Sequence, residues 1–547
     1  MTSTDVFASP HTGAEVSRGK DANRVKQSWT SWGAVIFFSV LFFGETVARA
    51  AQKPFWFDEL CTTYICRLPT FAQSWAAVLH GVDFNPPFFY AVERTARGLF
   101  GDGQIAMRVP EMLGFWALSL CLFRFVSKRA GLAAGWIAMA VPTLSGAYFY
   151  ASEARPHGLV LGFLGIALVC WQEMQARPSD FRWRLGFAAA LEAAYLTHCY
   201  AVCLVLPFAL AEAWRTLRRQ EMRWLEWVTL AGPATVAVVS FFPLLRSYRN
   251  MVSGTGFGQQ MFAPGIPALL NYYAFVLTPC LLVVLAVLAA CAAKQISRDA
   301  GPKRETKGRA TEEELAVTFG LVLLPCFGVL LGLAVHGPFF ARYFLGGMAG
   351  CALLLAYASA FRSAQHASVM VAVLAGALLA QRAGGAAWEV SKKVPIGMVE
   401  PSTGFVFSTT PGEPLASYPL LRSEEGGAQP IIVAAQLDFL YFAHYAPLLR
   451  ARLHSVSASQ NALPFRLFRA LREWCRVDFN AVETYDGFLS KHADFEIYGT
   501  YDDLHLLSEL MIERGASIKS IRFGDGRRFL ADVQVRPVQP IRFSAKK

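Results

Sequence analysis

Two adjacent carboxylates, Asp58 and Glu59, are the first residues in the chain whose types and spacing could carry out chemistry. They follow the first long apolar run and come directly after the aromatic residues Trp56 and Phe57. An ionised carboxylate is costly to remove from water unless it is paired or used. Two interpretations stay open: the acids face water at a membrane interface, where aromatic residues are common, or they belong to a site.

Further polar residues stand at the ends of apolar runs, and both signs of charge occur among them. Carboxylates can act as general bases towards a hydroxyl group. Arginines can bind a phosphate bidentately and stabilise the charge on it as it leaves. Each residue also has a structural explanation, such as a headgroup contact, a local ion pair between Glu153 and Arg155, or a helix anchor. The residues are Arg108, Glu153, Arg155, His198, Arg342 and Tyr343.

The composition indicates a membrane protein with many spans. Of the 547 residues, 54% are hydrophobic and only 17% are charged, whereas soluble domains carry about 25% charged residues. The net charge is +11, but the basic residues recur between apolar runs instead of gathering on one face, which argues against nucleic-acid binding. The eleven cysteines show no Cys-x-x-Cys pair and no Cys/His ligand spacing, so we expect no structural zinc site.

A membrane-spanning helix needs about 20 mainly apolar residues, and about eleven such runs follow a polar N-terminal tail. We predict a disordered cytoplasmic tail over residues 1–30, a transmembrane domain over 31–385 and a long first outer loop over 52–107. Lysines and arginines recur in alternate loops, most densely over 294–309, which places those loops and the tail in the cytoplasm. All the polar residues named above then fall on the outer side. The predicted spans are 31–51, 108–126, 131–150, 157–175, 184–200, 200–214, 226–245, 269–293, 315–335, 341–360 and 366–384.

The last part of the chain, residues 386–547, is predicted to be a small α/β domain on the outer side. A linker rich in Pro, Gly, Ser and Thr covers residues 394–430. No Gly-x-Gly-x-x-Gly motif occurs, so we assign no nucleotide to this domain. The strand-like stretches are 431–434, 495–498, 518–523 and 529–535, and the helical stretches are 464–475 and 504–514.

Six short motifs follow one another along the membrane region: Trp56-Phe57-Asp58-Glu59, Asn85-Pro86-Pro87-Phe88-Phe89-Tyr90, Arg108-Val109-Pro110, Ser152-Glu153-Ala154-Arg155-Pro156, Thr197-His198 and Arg342-Tyr343. In this order they resemble the C-type glycosyltransferase superfamily, in the branch of protein O-mannosyltransferases and aminoarabinose transferases. The resemblance covers most of residues 31–384. It implies the multi-pass helical fold of that superfamily. It also implies transfer of a sugar, with inversion, from a polyprenyl-phosphate sugar on the outer side of the membrane.

The resemblance also implies roles for individual residues. Asp58 would be the general base or the acid that binds the acceptor, and Glu59 would assist it or help to hold a metal. The residues expected at the donor phosphate are Arg108, Arg155 and Arg342, and those expected to bind substrate are Asn85, Glu153, His198 and Tyr343.

Three positions depart from the superfamily pattern. Asn85 stands where histidine is common, Glu111 where serine is common, and His157 where tyrosine is usual. These departures leave the acceptor and any metal open. We therefore assign no metal ligand, and the cofactors stay unknown, with a divalent metal as one alternative.

The sequence thus predicts an integral glycosyltransferase of a bacterial inner membrane, with a cytoplasmic N-terminus and a periplasmic C-terminal domain. Its expected partners are a polyprenyl-phosphate sugar, the lipid bilayer and an acceptor glycan such as lipopolysaccharide, a lipid or a protein, but no nucleic acid. One alternative is a transporter or flippase of lipid-linked sugars, although we see no inverted repeats or interrupted midplane helices. The other is a non-catalytic scaffold relative, against which the retained Asp58-Glu59 pair argues.

Overall fold

The structure is a computed structural model. Its description covers residues 12–255, 263–297, 310–360, 365–392, 415, 418–480, 482–524 and 527–535. Three predictions fall partly outside these residues: the start of the N-terminal tail, most of the linker 394–430, and the basic cluster from residue 298 to 309.

The chain up to residue 392 forms a bundle of helices. Helices are favoured in a bilayer because they satisfy their backbone N–H and C=O groups internally. The helices are α1 Thr12–Gln52, α2 Phe57–Cys66, α3 Phe71–Leu79, α4 Pro87–Phe100, α5 Val109–Ala130, α6 Leu132–Leu144, α7 His157–Ala176, α8 Phe181–Thr197, α9 Val205–Arg219, α10 Trp224–Ser240, α11 Phe242–Val252, α12 Ile266–Leu277, α13 Leu281–Ser297, α14 Glu312–Val322, α15 Leu324–Val335, α16 Gly346–Ser359 and α17 Gln365–Ser391.

Among the described residues, six helical segments are long and apolar enough to cross a membrane, or up to nine if each of three bent helix pairs is one span. Each of the eleven predicted spans overlaps a described helix. However, α8 has only 17 residues and α16 only 14, so the count of eleven is not confirmed. The chain is a multi-pass helical membrane protein.

Prolines accompany the three bends. The bend of 73° follows α6, which contains Pro142 and leads into the 3-10 helix Gly146–Ser152. The bends of 46° and 48° precede α11 and α15, which carry Pro243 and Pro325 in their first turns. Proline has no backbone N–H and its ring clashes with the preceding turn, so it interrupts a helix. Hydropathy does not register this interruption, and the apolar run is therefore predicted as one continuous span.

The N-terminal tail differs from the prediction. Helix α1 begins at Thr12 and continues without a break into the first apolar segment, whereas the sequence predicts a disordered tail up to residue 30. No proline occurs between Thr12 and Gln52. Adding residues to a formed helix is easier than starting a new one, so the apolar part of α1 extends into the polar tail.

The helices approach one another closely where α5 crosses α7. Gly114 of α5 faces Gly158 and Gly162 of α7, and a Cβ atom added at Gly162 would lie 2.7 Å from the Cα of Gly114. Small residues let helix backbones come together where lipid provides no hydrophobic driving force. This contact positions the ends of both helices that lie next to Arg108 and Arg155.

The first outer loop is largely helical, and the two amphipathic stretches predicted there form α3 and α4. Helix α3 begins after Thr70, whose hydroxyl accepts a hydrogen bond from the backbone N–H of Gln73 at 3.2 Å. Helix α4 begins with Pro87, where the missing N–H is not needed. Helix α2 begins at Phe57, so the two acids of the opening motif lie in a first helical turn.

The C-terminal region from Tyr418 to Val535 is the small α/β unit that the sequence predicts, and all six predicted strands and helices are confirmed. Its main sheet has five strands in the order β2-β1-β5-β7-β6, and a second sheet pairs β3 with β4. Strand β1 is parallel to β2 and β5, whereas β7 is antiparallel to β5 and β6. The elements are α18 Pro419–Arg422, β1 Ile431–Val433, α19 Gln436–Tyr445, β2 Leu453–His454, β3 Val456–Ser457, α20 Leu463–Cys475, β4 Glu483–Thr484, α21 Tyr485–Leu489, β5 Asp494–Thr500, α22 His505–Arg514, β6 Ala516–Gly524 and β7 Arg528–Val535.

Replacing Gly162 by valine should destabilise the protein by about 1–3 kcal/mol, because the new side chain would overlap the backbone of α5. We expect a lower midpoint of thermal unfolding for the detergent-solubilised protein. Gly232→Val in α10 is the matched control, since nothing lies within 4 Å of a Cβ atom at that position. Equal midpoints for the two variants would contradict the close α5–α7 contact.

Candidate active site

Glu59 is a buried carboxylate that holds three parts of the chain together. Its Oε1 accepts hydrogen bonds from Arg108 Nε and from the backbone N–H of Ala154, both at 2.7 Å. Its Oε2 accepts from Arg108 Nη2 at 2.7 Å and from the Trp56 N–H at 3.3 Å. Burial raises the pKa of Glu59, but the adjacent guanidinium and these hydrogen bonds outweigh it and lower the pKa. The carboxylate therefore stays ionised and is fully engaged.

Arg108, which is predicted at the donor phosphate, is bonded to other parts of the chain in the structure. Besides its two hydrogen bonds to Glu59, it donates to the backbone oxygens of Ala50, Lys53 and Pro54 at 2.9, 2.7 and 3.2 Å. A guanidinium has five N–H groups, and all five are used here. The side chain is also fully buried, so Arg108 ties the end of α1 to the start of α5 and is not open to a substrate.

Glu153 is likewise enclosed, which argues against its predicted contact with substrate. Its Oε1 accepts a hydrogen bond from Lys53 Nζ at 2.6 Å, and the two side chains are only 1% and 0% exposed. Lys53 also lies over the ring of Phe149, 4.2 Å from its centroid. Glu153 therefore forms an ion pair with Lys53, which follows the end of α1.

Asp58 is partly exposed, in contrast to the acid beside it, and we call the surface that it shares with Arg155 and Arg342 the cleft. One residue corresponds to a turn of about 100° around a helix, so adjacent side chains of α2 point to different surroundings. The Asp58 side chain is 20% exposed, and its Oδ2 lies 3.2 Å from Arg342 Nη2 and 3.9 Å from Arg155 Nε. Of the acids and arginines predicted at the site, the structure brings these three together.

Asp83 orients Arg155, a role that the motifs do not reveal. Arg155 Nη1 donates to Asp83 Oδ2 at 2.7 Å and Nη2 donates to Oδ1 at 3.3 Å. Asn85 also donates to Asp83, at 3.1 Å, so this predicted substrate ligand supports the carboxylate that holds Arg155. Burial raises the pKa of Asp83, but Arg155 and the hydrogen bonds outweigh it and lower the pKa. The one sequence signal for Asp83 is its position just before the Pro86-Pro87 motif.

Aromatic rings line the cleft beside the arginines. His198 and Tyr343, both predicted at the site, lie with ring centroids 4.6 Å apart, and Tyr200 stacks on Tyr343 at 4.8 Å. His157, which stands in the place of a usual tyrosine, packs 5.7 Å from His198 in the same wall. The guanidinium of Arg342 lies 5.7 Å from the Tyr343 centroid. We call His157, His198, Tyr200 and Tyr343 the aromatic wall, and its flat ring faces lie beside Arg342.

Glu111, another departure from the superfamily pattern, is buried within hydrogen-bonding reach of Glu93. Burial raises the pKa of Glu93 to about 8. Two carboxyl groups this close titrate as a pair and share a proton, because both cannot be ionised without strong repulsion. The pair is thus a buried carboxyl–carboxyl contact between α4 and α5 that carries at most one negative charge.

The acids of the cleft do not fit a divalent metal. Glu59 already accepts four hydrogen bonds, two of them from a guanidinium. Asp58 and Asp83 both face Arg155, whose positive charge opposes a bound cation. Hard divalent cations need several carboxylate or carbonyl oxygens directed at one point, and these carboxylates are directed at arginines instead.

An apolar groove with a volume of about 480 Å³ runs between α4, α5 and α7. Phe88 and Phe100 line it from α4, Leu113 from α5, and Leu159 and Phe163 from α7. Leu159 lies in the first turn of α7 and follows Arg155 by four residues, so one end of the groove is close to Arg155 along the chain. The groove is therefore an apolar surface beside a charged site.

Two solved structures match nearly the whole chain, whereas no protein-family model and no curated protein sequence matches it. ArnT from Cupriavidus metallidurans in the apo state has a TM-score of 0.54 and 16% sequence identity, over 92% of this chain and 98% of that chain. The chain has the ArnT fold. ArnT bound to undecaprenyl phosphate gives a TM-score of 0.52 at 15% identity with the same coverage. The fold predicted from the resemblance to C-type glycosyltransferases is thereby confirmed.

A more distant likeness joins the chain to the archaeal oligosaccharyltransferase AglB from Archaeoglobus fulgidus in complex with an inhibitory peptide and a dolichol-phosphate. The TM-score is 0.40 at 11% identity, over 85% of this chain and 69% of that chain. The similarity to ArnT is the stronger of the two and extends to the fold.

Replacing Arg108 by methionine should destabilise the protein by about 3–5 kcal/mol, because Glu59 would remain buried without its partner. Thermal unfolding in detergent measures this loss. The double variant Glu59→Gln/Arg108→Met should recover part of it, because the unpaired charge is then removed. Arg469→Met is the control, since its ion pair with Glu473 is exposed and such pairs contribute little to stability. A fully stable Arg108→Met variant would contradict the structural role.

Proposed function

We propose that the chain is a membrane glycosyltransferase that moves a sugar from a polyprenyl-phosphate sugar to a hydroxyl group of an acceptor. One observation carries the proposal: the guanidinium groups of Arg155 and Arg342 converge on the carboxylate of Asp58 at the edge of a cleft. This arrangement combines a phosphate site with a base, the two functions that the transfer needs. The ArnT fold and the undecaprenyl phosphate bound by ArnT support the choice of donor.

Arg155 and Arg342 would bind the donor phosphate. In the structure, Asp58 Oδ2 supplies the negative charge between them, and a phosphate oxygen can take its place. Arg155 Nε, which has no hydrogen-bond partner among the described residues, is directed to this position, while Asp83 holds the other end of the guanidinium. The phosphodiester of the donor carries one negative charge and gains a second as it leaves. The arginines therefore stabilise the departing phosphate more strongly than the bound donor.

Asp58 would act as the general base. It takes the proton of the acceptor hydroxyl while the hydroxyl oxygen forms a bond to the anomeric carbon of the sugar. The bond from that carbon to the phosphate oxygen breaks, and polyprenyl phosphate leaves with the bonding electron pair. Because the oxygen attacks from the face opposite the phosphate, the configuration inverts. Binding of the phosphate to the arginines would release Asp58 from them and strengthen it as a base.

The groove and the aromatic wall would hold the two uncharged parts of the donor. An isoprenoid chain is apolar and fits a groove lined by Phe88, Phe163 and their neighbours. The rings of His198 and Tyr343 offer flat faces to a sugar next to Arg342. The donor would thus extend from the groove to the wall, with its phosphate at the arginines between them.

We place the reaction on the outer side of a bacterial inner membrane, with the N-terminus in the cytoplasm and the C-terminal α/β unit outside. The support is the charge pattern, since basic residues recur in the loops on the other side. The acceptor hydroxyl would belong to a glycan, a lipid or a protein on that side.

Replacing Asp58 by asparagine should lower the rate of sugar transfer by about 10²–10⁴-fold, because the base is lost. The assay uses the purified protein, a labelled polyprenyl-phosphate sugar and a membrane extract as acceptor. Undecaprenyl phosphate should still bind, since the arginines remain. Asp102→Asn is the matched control, because Asp102 is exposed and pairs with Arg97.

The same assay separates the alternatives. Transfer by Asp58→Asn at the parent rate would contradict the assignment of the base. If the parent protein moved the lipid-linked sugar across a vesicle membrane without transferring the sugar to an acceptor, the transporter hypothesis would replace the proposal. Donor binding with neither activity would indicate a non-catalytic relative.

Replacing Arg342 by alanine should weaken the binding of undecaprenyl phosphate by about 10–100-fold, because a charged hydrogen bond to phosphate contributes about 1.5–3 kcal/mol. Arg342→Lys should recover part of the affinity, since it keeps the charge but not the planar guanidinium. Arg514→Ala is the control, because this exposed arginine pairs with Asp486 in the C-terminal unit. Unchanged affinity in Arg342→Ala would remove this arginine from the phosphate site.

A further inference from the structure

Three side chains converge in the C-terminal unit, away from the cleft. They are His454 of β2, Glu483 of β4 and His492, which follows α21. One ligand atom from each residue lies within 4.8 Å of the other two. The Nδ1 atom of His454 is 3.7 Å from Oε2 of Glu483. Imidazole nitrogens and a carboxylate oxygen form the kind of set that binds a transition metal.

Phe488 holds the two imidazole rings in this arrangement. Its side chain is fully buried, and its ring centroid lies 5.0 Å from that of His454 and 4.7 Å from that of His492. The two histidine rings are 5.4 Å apart. The histidines are thus packed on one common support.

Two atoms of the cluster are buried without a hydrogen bond in the described part of the chain. They are Nδ1 of His454 and Oε2 of Glu483. Their separation of 3.7 Å is too long for a hydrogen bond. The other oxygen of Glu483 accepts a hydrogen bond from Lys491, so Oε2 alone is left facing the histidines. Buried polar atoms without partners are unfavourable unless something else satisfies them.

We propose that His454, Glu483 and His492 bind a divalent transition-metal ion, with Zn²⁺ as the ion that they suit best. Zinc binds imidazole nitrogen and carboxylate oxygen at about 2.0–2.2 Å in a tetrahedron, which places neighbouring ligand atoms about 3.4 Å apart. The distance of 3.7 Å between Nδ1 and Oε2 is close to this value. His492 is half-buried, so its ring can rotate inward, and water completes the tetrahedron.

The choice of a transition metal follows from the donor set. Mg²⁺ and Ca²⁺ prefer oxygen ligands throughout, whereas two of the three ligands here are imidazoles. The residues stand 29 and 9 positions apart in the chain and include no cysteine, so no Cys/His ligand spacing marks them in the sequence. The bound ion would tie β2 of the main sheet to β4 of the second sheet and to the chain after α21.

Zinc binding to the full-length protein in detergent tests this inference. After removal of metal with a chelator, the parent should bind Zn²⁺ at one site that Glu483→Gln and His492→Ala each weaken by more than about tenfold, because each loses a direct ligand. His505→Ala is the matched control, since this exposed histidine lies in the same unit and outside the cluster. Zinc should also raise the midpoint of thermal unfolding of the parent and of the control, but not of the two variants.

A measurement on the parent protein alone covers the case in which a variant does not fold. Co²⁺ in place of Zn²⁺ should give the visible absorption of a tetrahedral site, and added Zn²⁺ should abolish it. Equal zinc affinity in the parent and both variants, or the absence of tetrahedral Co²⁺ absorption in the parent, would overturn the inference. None of these measurements depends on sugar transfer.

Discussion

The buried ion pair between Glu59 and Arg108 fixes the part of the structure on which the cleft depends. Arg108 immediately precedes α5 and donates to backbone oxygens at the end of α1, while Glu59 lies in the first turn of α2. The N–H of Ala154 adds the segment that leads into α7. Any rotation of α2 would separate charged groups inside the protein, and breaking such a buried pair costs about 3–5 kcal/mol. Helix α2 therefore has one orientation, and this orientation directs Asp58 to the cleft.

A second ion pair, between Asp83 and Arg155, holds the arginine side of the cleft in place. Asp83 binds Arg155 through two nitrogen atoms, and the hydroxyl of Thr62 accepts a further hydrogen bond from the same guanidinium at 3.0 Å. A guanidinium held in this way loses little side-chain freedom when an anion binds to its remaining edge. It also needs no reorganisation when charge develops on a leaving phosphate. The polar groups around the cleft thus serve mainly to orient the few groups that face it.

The sequence predicts helices and strands better than it predicts which side chains contact each other. Hydropathy and strand alternation depend on neighbouring residues, so the membrane helices and the strands of the C-terminal unit are predictable. Arg108 and Arg155 stand at similar positions just before the apolar helices α5 and α7, and nothing in their motifs separates them. The difference lies in their partners, which are distant in the chain. Glu59 and three backbone oxygens together use all five donors of Arg108, whereas Asp83 holds only one side of Arg155. Such long-range pairing is visible only in the folded structure.

The composition of the sequence changes near residue 386, but the helical bundle before it and the α/β unit after it pack against each other. The backbone N–H of Phe55 donates to the hydroxyl of Tyr445 at 2.7 Å, and the hydroxyl of Tyr64 lies 2.7 Å from Nδ1 of His444. Apolar residues of α2, α19 and α20 belong to one buried cluster. Helix α2 is therefore held at its start by Arg108 and along its length by the C-terminal unit. Because the two supports act on the same short helix, the position of Asp58 depends on both the membrane bundle and the α/β unit.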